Sequence, residues 1–155
     1  MLAMSTFTRP RIPRRLRLTL QDGYQRITRP ESVEQIAVMQ WAEKEAGRWP
    51  ELRLLFAVPN GGKRDAKEAA HMKRQGVKPG VPDLMAPFAR GGHIGLAIEL
   101  KVWPNKPTDL QAAWHTALRA ELWSVRVCYS ATAAIEVIRE YLGGARPGTQ
   151  WKAEA

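Results

Sequence analysis

Two acids in this chain lie where acids are costly. Asp83 follows Pro82 and opens the apolar run Leu84-Met85-Ala86, and Glu99 lies inside Ile94-Gly95-Leu96-Ala97-Ile98-Glu99-Leu100-Lys101-Val102. A carboxylate in a buried strand is unfavourable unless it is paired or bound to a metal. Side chains alternate along a strand, so Glu99 and Lys101 project from one face while Leu100 points into the core. If the two strands form a hairpin through Arg90-Gly91-Gly92, Asp83 comes close to Glu99, and two carboxylates converge beside one ammonium. That is equipment for hydrolysing a phosphodiester. Two carboxylates bind a hard divalent cation through oxygen and leave positions for water and a substrate phosphate. The cation acts as a Lewis acid and lowers the pKa of bound water. Lys101 orients or deprotonates that water, or neutralises developing negative charge. For an isolated Glu-x-Lys the simpler reading is an ion pair at a strand end, with Asp83 as a helix or loop cap.

The pattern is not isolated. Pro82-Asp83, then fifteen residues, then Glu99-Leu100-Lys101 has the order of the PD-(D/E)xK nuclease superfamily. Its surroundings are Leu55-Phe56-Ala57-Val58-Pro59-Asn60-Gly61-Gly62, the stretch from Lys73-Arg74-Gln75-Gly76 through Val77-Lys78-Pro79-Gly80-Val81 to Pro82-Asp83-Leu84, and Gln111 and Trp114. Together these closely resemble the VRR-Nuc family of that superfamily, over roughly residues 31–142. The resemblance implies a restriction-endonuclease-like α/β core and Mg²⁺- or Mn²⁺-dependent cleavage of DNA, with a preference for branched DNA such as flaps or four-way junctions. Stand-alone chains of this kind look like phage or prophage proteins. By the same resemblance Asp83 and Glu99 are metal ligands, the Leu100 carbonyl is a third, and Lys101 is the catalytic lysine. Glu34, beside Gln35 on the first helix, matches the family's N-terminal acidic position and completes the site, directly or through water, with Glu31 as the fallback. Gln111 points a polar group at the site. One departure is Trp103-Pro104-Asn105-Lys106-Pro107, where family members often have a glycine-containing turn.

Most elements that must position these groups are legible. Pro30-Glu31-Ser32 opens a helix to about Gly47, with Val33, Ile36, Ala37, Gln40 and Trp41 near one face. Leu52–Val58 reads as a buried strand ending at Pro59-Asn60-Gly61-Gly62, and Asp65 caps a helix over Ala66–Gln75 that Gly76 ends. Lys78–Pro82 is a loop, followed by strands at Asp83–Pro87 and His93–Lys101. Thr108 caps a helix to about Glu121 with Leu110, Trp114 and Leu118 facing the core. Trp123–Tyr129 is the last strand, and Ala131–Leu142 is a helix with Ile135, Ile138 and Leu142 at core spacing. The order α-β-α-β-β-α-β-α predicts a mixed central sheet flanked by helices.

Composition agrees with a nucleic-acid partner. The chain has 155 residues, 45% hydrophobic and 25% charged, which is about one globular domain. Cys128 is the only cysteine, so an intrachain disulfide is excluded, and its place in the last strand makes it a core residue. No run is long and apolar enough to span a membrane, and no secretory signal is evident, which predicts a cytoplasmic protein of a bacterial or phage-infected cell. The net charge is +9, a balance typical of partners of polyanions. It is unevenly placed. Residues 1–30 carry Arg9, Arg11, Arg14, Arg15, Arg17, Arg26 and Arg29 against Asp22, a net of +6. They read as a basic arm with one short strand around Leu16–Leu20, ahead of a domain over 31–142 and a tail over 143–155.

Asn60-Gly61-Gly62 reads as a tight turn that, beside such a site, is expected to bring backbone near DNA or the active site, and Lys63, Arg64, Lys67, Lys73, Arg74 and Lys78 are expected to contact phosphates, although a charge run by itself is usually a solvated face. His71 and His93 lack partners at metal-ligand spacing. Trp41 and Trp114 sit at core spacing, which leaves Trp103 as the tryptophan to test for DNA contact. A chain this small that cuts both strands of a junction does so most simply as a two-fold homodimer. The competing reading is a branched nucleic-acid-binding protein without catalysis.

Overall fold

The computed structural model describes residues 18–21, 24–27, 30–59 and 66–147. Asn60, Gly61, Lys63 and Arg64 of the expected DNA-contacting set lie outside them, as do most of the arm and the end of the tail. The chain runs β1 (Leu18–Gln21), β2 (Tyr24–Ile27), α1 (Glu31–Glu45), a 3-10 turn (Pro50–Leu54), β3 (Phe56–Ala57) and α2 (Ala66–Arg74). It continues through β4 (Leu84–Ala86), β5 (Gly95–Leu100), α3 (Asp109–Ala120), β6 (Trp123–Cys128) and α4 (Ala131–Leu142). From α1 onward this is the expected order.

The main sheet has the order β3-β4-β5-β6. β3 pairs antiparallel with β4, β4 antiparallel with β5, and β5 parallel with β6. The antiparallel step from β4 to β5 is a hairpin. Arg90 bridges His93, while Gly91 and Gly92 adopt φ of 57° and 83°, a region that glycine enters without steric cost. The parallel step needs a crossover, which α3 supplies. The result is a mixed four-stranded α/β sheet with flanking helices.

Alternation sorts the two faces of β5. Leu96, Ile98 and Leu100 join Leu84, Ala86 and Cys128 in one core with Val38 and Ala42 of α1 and Ala134, Ile138 and Leu142 of α4. Gly95, Ala97 and Glu99 look the other way, toward α3. Gly95 lies so close to Trp123 that an added Cβ would stand 2.4 Å from its ring. All six residues of β5 are buried, so Glu99 is held in a strand with no wet face.

Four expectations need correcting. Leu52–Val58 is not one buried strand: Pro50 starts a 3-10 turn, and only Phe56–Ala57 pair in the sheet. At three residues per turn Leu52 and Leu55 share a side and are buried, whereas Leu54 and Phe56 are exposed. On α1 the buried residues are Val38 and Ala42, while Val33 and Ile36 are exposed. Apolar residues lie nearly all round this helix, so its pattern does not select a face. On α3 the buried residue is His115. Leu110 is exposed, and Trp114 packs against the loop between α2 and β4, where its Nε1 donates to the Pro79 carbonyl at 3.0 Å. Within the expected arm there are two strands, paired antiparallel from Leu18↔Ile27 to Gln21↔Tyr24. The intervening Asp22-Gly23 is a strong hairpin signal in sequence.

Candidate active site

The site forms where β4 begins and β5 ends. Leu84 pairs with Ile98, so Asp83 stands one step further along, opposite Glu99. Asp83 is fixed from two sides. Its carbonyl accepts from Val58 N at 2.8 Å, and its Oδ2 accepts from Leu100 N at 2.8 Å. The β4–β5 hairpin therefore brings the two acids together.

Glu99 is fully buried. Its Oε1 accepts from Lys101 Nζ at 2.6 Å and from Gln111 Nε2. Lys101 Nζ also donates to the Leu100 carbonyl at 3.1 Å, and Glu31 Oε1 stands 3.7 Å from it. Gln111 is aimed by a capping box. Its Oε1 accepts from Thr108 N at 2.9 Å while its backbone N–H donates to Thr108 Oγ1, which leaves the Nε2 end directed at Glu99.

The other face of Glu99 meets a residue that the sequence motifs do not single out. His115 Nε2 stands 3.6 Å from Glu99 Oε2, and both atoms are buried without a hydrogen-bond partner. Its position four residues after Gln111, on the same helical face, is the signal that sequence offers for it.

The two acids of α1 separate. Glu31, in its first turn, accepts from Val102 N at 3.3 Å and stands beside Lys101. Glu34 lies nearly a turn further on and caps a different helix, where its Oε2 accepts from Ala131 N at 2.6 Å. A carboxylate is favourable there, against the positive end of α4. The structure thus brings Asp83, Glu99, Lys101, Gln111 and Glu31 together and turns Glu34 away. Of the expected DNA-contacting residues within the described segments, Lys67, Lys73, Arg74 and Lys78 are exposed on α2 and the loop after it. That loop leans on α3 at Gly80, whose φ is +84° and where a Cβ would stand 2.7 Å from Leu110.

Electrostatics follow from burial. Desolvation is the main cause that raises the Glu99 carboxyl to about 7, and the Asp83 charge adds to it against the Lys101 bond. Burial likewise raises Asp83, opposed by the Leu100 N–H and by Lys101. Burial is also the largest single influence on Lys101 and favours its neutral form, but Glu99, Glu31 and Asp83 together outweigh it and hold the ammonium above the ordinary lysine range. His115 is lowered, first by burial and then by Arg119 and Lys101, so its imidazole is neutral.

Among the described residues, no three His, Cys, Asp or Glu side chains gather as a metal cluster. The chemistry of the donors nonetheless fits a hard cation. Asp83, Glu99 and the Leu100 carbonyl offer oxygen only, and Glu99 keeps one buried oxygen without a partner. Its raised pKa marks a carboxylate that a cation would relieve.

The site thus lies at the end of a mixed α/β sheet, with two adjacent carboxyls and a lysine. The VRR-NUC domain model matches residues 21–132. A solved structure described as a VRR_NUC domain protein is similar at a TM-score of 0.64 and 32% identity, over 75% of this chain and 90% of that one. No curated protein gives a significant match. The chain belongs to the VRR-NUC domain family, a nuclease-type family for which DNA is the implied substrate. No helix among the described residues is long and apolar enough to cross a membrane.

Proposed function

We propose that this protein is a divalent-metal-dependent endonuclease that hydrolyses phosphodiester bonds in branched DNA, at flaps or four-way junctions. The observation that carries this reading is the convergence of Asp83, Glu99 and Lys101, with the Lys101 ammonium 2.6 Å from the buried Glu99 carboxylate. Asp83, Glu99 and the Leu100 carbonyl would hold Mg²⁺ or Mn²⁺. When bound, the ion supplies Lewis-acid polarisation of the phosphate and a more acidic water.

The protein's own groups do the rest. Lys101, tethered to Glu99 and Glu31, presents its ammonium where the attacking water and the charged phosphate meet. There it orients the water and offsets negative charge as it develops. Gln111 holds the Glu99 carboxylate by a hydrogen bond, and the neutral His115 ring closes off its other oxygen from water. Attack by water on phosphorus breaks the P–O3′ bond and leaves a 5′-phosphate and a 3′-hydroxyl. Lys67, Lys73, Arg74 and Lys78 offer exposed charge to the DNA backbone. Cutting both strands of a junction calls for two copies, and the exposed Val33 and Ile36 on α1 suit an apolar contact between them.

The test is cleavage of labelled four-way junction, flap and plain duplex DNA in Mg²⁺, Mn²⁺ or EDTA. Asp83→Ala and Lys101→Ala are assayed alongside once circular dichroism has shown that they fold. Metal-dependent cutting of branched substrates, lost in both variants, is expected. Folded wild type that binds branched DNA and cuts nothing would favour the non-catalytic binding protein.

A further inference from the structure

The helix α2 has almost nothing to rest on. It is nine residues long, and of Lys67–Arg74 seven residues are exposed and only Met72 is half-buried. The other three helices each bury side chains in the domain. Most helical stability in a protein comes from packing one face against the rest, and an isolated helix shorter than about 12–15 residues is marginal in water. Its composition pulls the other way. Ala66, Ala69, Ala70, Lys67, Met72, Lys73 and Arg74 are all strong helix formers. The segment is inclined to be helical yet lacks the contacts that would hold it so.

One end is anchored. Gly76, at φ 89°, closes a Schellman turn in which Val77 N donates to the Met72 carbonyl at 3.0 Å and Gly76 N to the Lys73 carbonyl at 3.1 Å. The loop that follows is pinned to α3 by the bond from Trp114 Nε1 to the Pro79 carbonyl. Along its length the helix presents positive charge. At about 100° per residue, Lys67, His71 and Arg74 fall within about 60° of one another, and Met72 lies on the other side. Glu68 is the only acid between Ala66 and Lys78, against Lys67, Lys73, Arg74 and Lys78. None of those four cations forms an ion pair among the described residues. A row of cations of this kind is complementary to a polyanion, and each phosphate it neutralises releases condensed counterions.

We propose that α2 is completed as a helix by the DNA backbone and not by the protein core. It opens readily in the free protein and closes onto the phosphates of a duplex arm when the substrate binds. The inference rests on the nuclease reading, which supplies DNA as the ligand, and adds to it a folding step coupled to binding. Binding then carries the cost of ordering the segment, so affinity depends on helix propensity as well as on charge. An uncharged substitution on the side away from the cationic row should therefore weaken DNA binding. A preformed helix would be indifferent to it.

The experiment compares wild type with Ala69→Gly and with Ala69→Gln, a substitution that keeps a good helix former at the same exposed position. Amide hydrogen exchange is followed by mass spectrometry in the free proteins and in complexes with plain duplex or a four-way junction, with Ca²⁺ in place of the working metal. Fluorescence anisotropy gives the affinity and its salt dependence for the same pairs. DNA should slow exchange over residues 66–74 by about tenfold or more and leave β5 and α4 unchanged. Ala69→Gly should bind DNA about fivefold more weakly, the effect of one glycine on a helix that must form in order to bind. Its salt dependence and Tm should match wild type, and Ala69→Gln should bind within about twofold of it. Unchanged exchange over 66–74 on DNA overturns the proposal. So does an Ala69→Gly variant that binds as tightly as wild type, because DNA then merely covers a preformed helix. A lower Tm in that variant overturns it as well, since α2 would then belong to the core. Cleavage of the same substrates by wild type in Mg²⁺ or Mn²⁺ is measured in parallel. DNA that is bound and never cut defeats the nuclease reading, while exchange and affinity still decide α2. A protein that binds no DNA defeats both.

Discussion

Replacing Glu99 with glutamine should stabilise the metal-free protein at pH 8 while abolishing cleavage. Glu99 has no solvent exposure, and burial raises its carboxyl from 4.5 to about 7. A carboxyl with a raised folded-state pKa binds its proton more tightly in the folded protein than in the unfolded chain. Its favourable contribution is therefore complete below about pH 4.5 and is lost as pH rises through 7. A difference of about 2.5 units at 1.36 kcal/mol each amounts to roughly 3 kcal/mol at pH 8. Asp83, also raised, adds to the same trend. Glutamine carries no charge, and the site can accept it. Its oxygen takes the bonds from Lys101 and Gln111, and its NH₂ replaces the orphaned Oε2 opposite His115 Nε2, which also lacks a partner and accepts in the Nδ1–H tautomer. For a chain of this size about 3 kcal/mol corresponds to roughly 6–12 °C in Tm. The assay is thermal unfolding by circular dichroism in EDTA from pH 5 to pH 8.5. Wild type should lose stability as pH rises, and Glu99→Gln should have a flatter profile that crosses above it. Added Mg²⁺ or Mn²⁺ should raise the wild-type Tm at pH 8 and leave the variant nearly unchanged. A wild type as stable at pH 8 as at pH 5, or a variant less stable than wild type at pH 8, would refute the premise that desolvation governs Glu99.

Lys101→Met should reduce single-turnover cleavage by about 10²- to 10⁴-fold and leave DNA affinity near wild type, because the loss falls on the chemical step; a loss of affinity alone would refute that role. The two acids of α1 should behave oppositely. Glu34→Ala should cost about 1 kcal/mol in denaturant unfolding, through removal of the bond to Ala131 N, and spare cleavage. Glu31→Gln should lower cleavage by about 10- to 100-fold with little change in stability, since it acts on Lys101. Replacing Lys67, Lys73, Arg74 and Lys78 together with alanine should flatten the salt dependence of DNA binding by about 0.9 in log–log slope for each phosphate no longer neutralised, read from titrations at several salt concentrations.

Much of the catalytic arrangement is local and is legible in the sequence for that reason. A two-glycine turn joins the strands carrying Asp83 and Glu99, and strand alternation places Lys101 on the same face as Glu99. Thr108-x-x-Gln111 has the form of a capping box, which aims the glutamine from within a single turn of helix. These relations depend on neighbours along the chain and on the periods of strand and helix. The α/β order and the basic character of the chain can be read in the same way.

The rest depends on how the elements pack. Glu31 and Glu34 are alike in type and close in sequence. Which of them meets Lys101 depends on how α1 lies across the sheet, and a helix apolar nearly all round does not announce its buried face. The approach of His115 to Glu99 depends on how deeply the crossover helix settles against β5. Trp103 and Tyr129 come from the ends of two different strands and meet only because those strands run parallel and end together. Helical and strand periods say which side chains share a face. Where that face rests is settled by packing against elements distant in sequence, because burial rewards any apolar contact and only the assembled core selects among them.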